Sequence, residues 1–271
     1  MAREAKRRKR SGRDWLADGL ILLALGLFGV PGLWNQPVLA QEQAGRAAEA
    51  AETEEEPEPG NALTLSRALL EKLDQAQKQN SQVVGWLWVP GAEVDLPVLQ
   101  SPGDNEYYLR RNLAGEYDSR GSLFLDERCD GAGGTVDRLI YGHEMGDGSM
   151  FGQLKNYRDP ACFERWPTLA YATGEGVELC RVLAVFEARV LNQGEEGFRY
   201  YYFFDAPTRE EWEEWYWNIR ELALYDTGVT GTWEDRYFTL STCDSSRPGG
   251  RFALVAKREE YIPAPAPGKD G

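Results

Sequence analysis

The sequence predicts a mostly β protein, a closed β-barrel of seven to eight strands with a few helices, preceded by an N-terminal transmembrane helix. Three observations lead to that reading. Short apolar runs punctuated by turn residues recur from Val83 onward: VVGWLWV, VDLPVL, GSLFL, RLIYGH, VELCRVLAVFEARV, RYFTLSTC and RFALVAK. Many short strands of this kind, with little helix between them, suit a closed or nearly closed barrel. One later stretch, from about Thr208 to Leu224, has clear helical spacing. Near the start lies an apolar run, Trp15 to Trp34, of the length a bilayer requires, about 20 residues.

Residues 1–14 form a basic segment, with seven Lys and Arg in the first thirteen positions. The run over 15–34 follows, and its Gly residues and Pro31 are tolerated better in lipid than in water. Basic residues before it and acidic residues after it orient it with the N-terminus in the cytoplasm and the remainder outside the cell. The competing reading is a cleaved signal peptide, because Val38-Leu39-Ala40 resembles a small-residue cleavage site. Residues 35–60 end in a Glu/Pro run and cannot bury a core, so they read as a disordered acidic spacer.

Residues 61–82 read as a helix capped by Asn61, with Ala62, Leu65, Leu69, Leu73 and Ala76 on one face. That face packs either on the domain that follows or within a stalk. The barrel is expected over residues 83–260. Within it, the helix from about Thr208 to Leu224 presents Trp212, Trp215, Tyr216, Ile219, Leu222 and Ala223 as an apolar face and Glu residues opposite. Residues 261–271 are Pro-rich and read as a flexible tail.

Charge narrows the partners. Residues 1–40 carry a net charge of +4, so the total of −14 leaves −18 on the rest of the chain. A polyanion such as nucleic acid would be repelled by that surface. The four cysteines lack paired metal-binding spacing. His143-Glu144-Met145-Gly146-Asp147 begins like a zinc-protease motif but has Asp147 where the second histidine belongs. No metal and no cofactor are expected. Cys129, Cys162 and Cys180 are expected to be buried or free thiols, with Cys129 exposed if its Gly-rich loop stands out.

The stretch with most chemistry in it is TLSTCDSSRPGGRFALVAK, residues 239–257. Two alternating runs flank a loop with Pro and paired glycines, the pattern of an antiparallel reversal. Pairing of that kind sets Cys243 beside Arg251, roughly 5 Å apart in backbone. Thiol chemistry near neutral pH commonly uses an imidazole, and His143 is the single histidine of the chain. The structural readings of the same residues are a buried core thiol, a structural histidine and a solvated arginine.

IYGHEMGDGSMFGQLKNY, together with TLSTC and GRFALVAKR, resembles the sortases, and class B in particular, cysteine transpeptidases of Gram-positive bacteria. SPGDNEYYLRRNLAGEYDSRGSLFLDER is similar to the class B segment before the histidine strand, and the resemblance runs from about Gly85 to Arg258. It implies a sortase-like barrel held by a membrane anchor, with a helix between the last strands. It implies that Cys243 is the nucleophile, His143 the proton carrier and Arg251 the oxyanion or peptide clamp, with Arg247 as the rival cation. It also implies that Ser241, Asn105 and Leu109 line a substrate groove. Implied partners are surface proteins or pilins bearing a C-terminal sorting signal of the form Asn-Pro-x-Thr-Asn or x-Pro-x-Thr-Gly. The implied amine acceptor is a cell-wall peptide or a pilin lysine. Two alternatives stay open on the residues alone: a membrane-tethered cysteine peptidase with water as acceptor, and a non-enzymatic surface-binding domain.

Overall fold

The computed structural model describes residues 62–131, 134–244 and 248–265, with the side chains of Cys243 and Asp244 outside the description. The basic N-terminus, the apolar run over 15–34, the acidic spacer, Asn61, Arg247 and the last six residues of the expected tail lie outside the described residues. Among the described residues no helix is long and apolar enough to cross a membrane.

Helix α1, Ala62–Gln79, buries Leu65, Leu69, Leu73 and Ala76, the stripe its sequence spacing predicts. That stripe packs on the barrel strands β1 (Val83–Val89), β5 (Thr168–Thr173) and β6 (Gly176–Arg189). The helix is therefore part of the domain wall, not a stalk. Along β1, Val83, Gly85, Leu87 and Val89 are buried while Val84, Trp86 and Trp88 are half-buried, the period of two expected of a barrel strand. A 3-10 turn over Pro90–Ala92, closed by Glu93 in the left-handed region, reverses the chain into β2, Val94–Leu99.

Strands β3 (Leu123–Leu125), β4 (Asp137–Tyr141), β7 (Tyr237–Asp244) and β8 (Gly250–Pro263) complete a closed barrel in the order β1-β2-β3-β4-β7-β8-β6-β5. Two of its pairs, β2 with β3 and β4 with β7, are parallel. Parallel neighbours need long crossovers. The second crossover, between Tyr141 and Tyr237, holds the short helix α2 (Pro160–Arg165), β5, β6 and helix α3 (Arg209–Leu222).

Several expectations are refined. Strand β5, TLAYAT, is not among the runs singled out in the sequence; it pairs with both β1 and β6 and closes the barrel. Helix α3 starts one residue after its N-cap Thr208, whose side chain accepts from Glu211 N, and buries Trp212, Trp215, Tyr216 and Ile219. It ends at Leu222, which is 39% exposed. Ala223 leaves the helix to bridge Phe186, and Leu224 N donates to Val185 O, so β6 captures the backbone that helical spacing alone would continue. Strand β8 runs to Pro263, three residues beyond the expected barrel edge, because Gly176, Val177 and Glu178 of β6 offer it partners. Cys129 is buried, its Sγ lying between Asp137 O and Leu139 N, which corrects the exposed alternative.

An aromatic layer covers β7 from the crossover. Phe203 stacks on Trp215 at 4.3 Å between centroids, Trp212 stacks on Tyr216 at 4.7 Å, and Trp212 Nε1 donates to Tyr237 OH. With both faces of β4 covered, its five residues are all buried.

Candidate active site

Three adjacent strands assemble the site at one end of the barrel. In the parallel β4–β7 ladder Tyr141 lies opposite Ser241, and Gly142 N extends the pairing by donating to Ser241 O at 3.2 Å. The chain leaving β4 reaches His143 one residue after that bond, while on β7 Thr242 and Cys243 follow Ser241. On the other side of β7, the antiparallel register pairs Cys243 with Arg251. Cys243 thus lies on β7 between β8, where Arg251 is its register partner, and β4, whose chain reaches His143 two residues past Tyr141. Gly142 is packed closely at the exit from β4, since a Cβ there would lie 2.5 Å from Leu123 Cδ2 and 2.7 Å from the Phe151 ring.

His143 is half-buried and anchored at both ends. Its carbonyl accepts from Phe151 N at 2.9 Å, which folds the HEMGDGSMF loop back on itself. Its Nε2 lies 2.7 Å from the carbonyl oxygen of Leu109. A carbonyl oxygen has no proton to give, so Nε2 carries the hydrogen and Nδ1 is left for proton transfer. Burial pushes the imidazole below its usual ionisation range; the Leu109 hydrogen bond opposes that, and the charge of Arg110 adds to it.

Arg251 is wholly enclosed, with Nη1 donating to Gly250 O at 2.7 Å. A fully desolvated guanidinium beside the position of Cys243 is a strong local positive charge. Ser241 is also fully buried, and its Oγ shares a 2.8 Å hydrogen bond with Tyr200 OH. Asn105 is buried, with Oδ1 accepting from Glu127 N at 2.7 Å and Nδ2 lacking a hydrogen-bond partner among the described residues. Leu109 is buried on the 3-10 turn Tyr107–Arg110, and it meets His143 through its main chain. Beside it opens a cavity of about 630 Å³ lined by Glu106, Leu109, Arg110, Arg111, Gly115 and Tyr117.

The remaining thiols are poor nucleophiles. Burial, then the charge of Asp126, pushes the Cys129 thiol far up; burial raises Cys180 as well and, with Asp159, Cys162. The carboxylates of the truncated zinc-like motif are engaged elsewhere, Glu144 with Lys155 at 3.0 Å and Asp147 with Ser149. Arg110 and Tyr200 are not singled out by the sequence reading. Arg110 offers one signal, a doubled arginine on a chain whose residues 41–271 carry a net charge of −18.

No family model matches the chain. Sortase B of Listeria monocytogenes is 31% identical over 258 residues, which span 90% of this chain and 97% of that relative. Sortase B of Staphylococcus aureus is 24% identical over 188 residues, 69% of this chain and 74% of that one. The solved structure of Listeria monocytogenes sortase B aligns with a TM-score of 0.59 at 34% identity, over 68% of this chain and 99% of that one. Sortase B from B. anthracis in complex with AAEK1 aligns with a TM-score of 0.60 at 31% identity, over 71% of this chain and 85% of that one. The eight-stranded barrel and a relative matched almost end to end agree: this chain belongs to the class B sortases, cysteine transpeptidases that act on peptide bonds.

Proposed function

We propose that the protein cleaves a C-terminal sorting signal through an acyl-thioester on Cys243 and passes the acyl group to an amine. The observation that most supports this reading is the strand register: β4 pairs with β7 up to Tyr141, two residues before His143, and β7 pairs with β8 so that Cys243 lies opposite Arg251. Cys243 as thiolate adds to the carbonyl carbon of the scissile peptide bond. Arg251 N–H groups stabilise the oxyanion or hold the peptide, a task its fixed fork suits. His143 as imidazolium gives its Nδ1 proton to the departing amine, because an amide nitrogen does not leave as an anion. The C–N bond breaks and a thioester remains. An incoming amine then adds to that thioester, His143 takes its proton, and the thiolate leaves.

Asn105 contributes to the peptide groove with its buried amide Nδ2, and Ser241 shapes the groove floor through its bond to Tyr200. One solved sortase B structure is complexed with triglycine, a peptide bearing a free amine, which supports an amine acceptor here from a cell-wall peptide or a pilin lysine. The apolar run over 15–34, with basic residues before it, supports a single-pass anchor that places the domain outside the cell. Mass spectrometry with sorting-signal peptides, with and without candidate amines, tests the reading. Transfer product and a thioester adduct on Cys243 are expected, both absent in Cys243→Ala. Hydrolysis product alone at saturating amine would identify a peptidase instead, and full turnover by Cys243→Ala would remove the nucleophile assignment.

A further inference from the structure

Cysteine–histidine sites depend on a third group that orients the imidazole. In this protein the atom on His143 Nε2 belongs to the main chain: the Leu109 carbonyl, at 2.7 Å. What holds that carbonyl in place is a close crossing of two backbone segments. The 3-10 turn Tyr107–Arg110 lies against the turn that leads into β3, where Ser122 N donates to Tyr108 O at 3.0 Å and Gly121 N donates to Asp118 O at 3.0 Å. Gly121 stands at φ +62, and a Cβ on it would enter contact distance of the Leu109 oxygen, at 2.8 Å from both the Leu109 carbonyl carbon and the Tyr108 oxygen. Only backbone lies there, so nothing flexible can swing aside.

We infer that Gly121 is a positioning residue for His143: its lack of a side chain seats the Leu109 carbonyl where it fixes the imidazole with hydrogen on Nε2 and Nδ1 toward the chemistry. The inference rests on His143 being the proton carrier. It gives Leu109 a role that no side chain performs, because the orienting oxygen is common to every residue type. It also gives the sequence Arg120-Gly121-Ser122 a part in the reaction, although none of the three touches the substrate in this scheme.

The test uses the single histidine of the chain, so every imidazole signal in a nitrogen-15 NMR spectrum reports His143. In the wild-type protein near neutral pH the Nε2–H tautomer is expected, with scalar coupling across the hydrogen bond to the Leu109 carbonyl carbon. Gly121→Ala should lower the titration midpoint further, because the Leu109 hydrogen bond is what lifts it. Transfer should fall about 10²-fold, the cost of misplacing a catalytic group by roughly 1 Å, with the loss in kcat. Gly103→Ala and Gly228→Ala serve as controls, since both glycines have left-handed backbone, at φ +76 and +69, with open space around a new Cβ. They share the backbone strain without the carbonyl contact, and both should keep the wild-type titration and turnover. A wild-type Nδ1–H tautomer, or no coupling to Leu109, overturns the inference even if Gly121→Ala does not fold. So does a folded Gly121→Ala with unchanged midpoint and tautomer, or a control that falls equally. Full activity in His143→Ala would sink the underlying assignment of His143 instead and leave the tautomer result standing.

Discussion

Asp137 opens β4 fully buried, out of reach of water that could solvate its carboxylate. Thr239 Oγ1 donates to its Oδ2 at 2.8 Å, while Oδ1 has no hydrogen-bond partner among the described residues. Desolvation raises its ionisation from 3.8 to about 7, against the lowering effects of Thr239 and Arg138. The folded state therefore binds a proton that the unfolded chain has released. Stability from this group is complete below the unfolded value and is lost as pH rises toward the folded one. At 1.36 kcal/mol per pH unit, the interval from 3.8 to about 7 amounts to on the order of 4 kcal/mol. Asp137→Asn mimics the protonated form and keeps an acceptor for Thr239. The variant is expected to gain stability over wild type as pH rises from about 4 to about 7, levelling above that. Urea denaturation across that range measures the difference, in which the opposing contribution of His143 cancels. Turnover should be nearly unchanged, because Asp137 lies at the far end of β4 from the His143 exit, roughly 13 Å away along the strand. An Asp137→Asn protein whose stability tracks wild type at every pH would refute the buried-acid argument.

Two further outcomes follow from the charges. Arg138 and Glu178 form an ion pair of 2.6 Å with side chains 4% and 5% exposed, and Arg258 approaches the other Glu178 oxygen at 3.5 Å. Glu178→Gln leaves the buried Arg138 charge without its counter-ion, and a loss of about 3–5 kcal/mol in urea denaturation is expected; a loss under about 1 kcal/mol would mean that water compensates the guanidinium. Arg110→Gln removes a positive charge that holds the His143 imidazole down, so the NMR titration midpoint of His143 should rise; an unchanged or lower midpoint would show that Arg110 acts on another group.

The hairpin of Cys243 and Arg251 was legible from sequence because it is local. Alternation sets which residues share a face, and a short loop with Pro and two glycines sets the reversal, so the opposed pair follows from counting. The stripes of α1 and α3 were legible for the same reason, through a period of 3.6 residues. Where strands compete for backbone partners, counting fails. The end of α3 at Leu222, the closure of the barrel by β5 and the extension of β8 to Pro263 all depend on hydrogen bonds offered by chain distant in sequence.

Motifs that resemble the sortases pointed to the thiol, imidazole and guanidinium of the proposed site, while the sequence by itself determined a mostly β barrel and its amphipathic helices. Those are matters of residue type, local period and turn chemistry, which the chain carries wherever it goes. Only the tertiary structure decided that β4, which leads to His143, pairs with β7, through a parallel pairing of segments about a hundred residues apart whose register no local pattern encodes. It alone decided that the imidazole leans on the carbonyl of Leu109, that Gly121 makes room for that carbonyl, and that Asp137 is cut off from water. Every residue has a carbonyl, so a main-chain acceptor leaves no mark on the sequence, and burial is a property of what surrounds a side chain and not of the side chain itself.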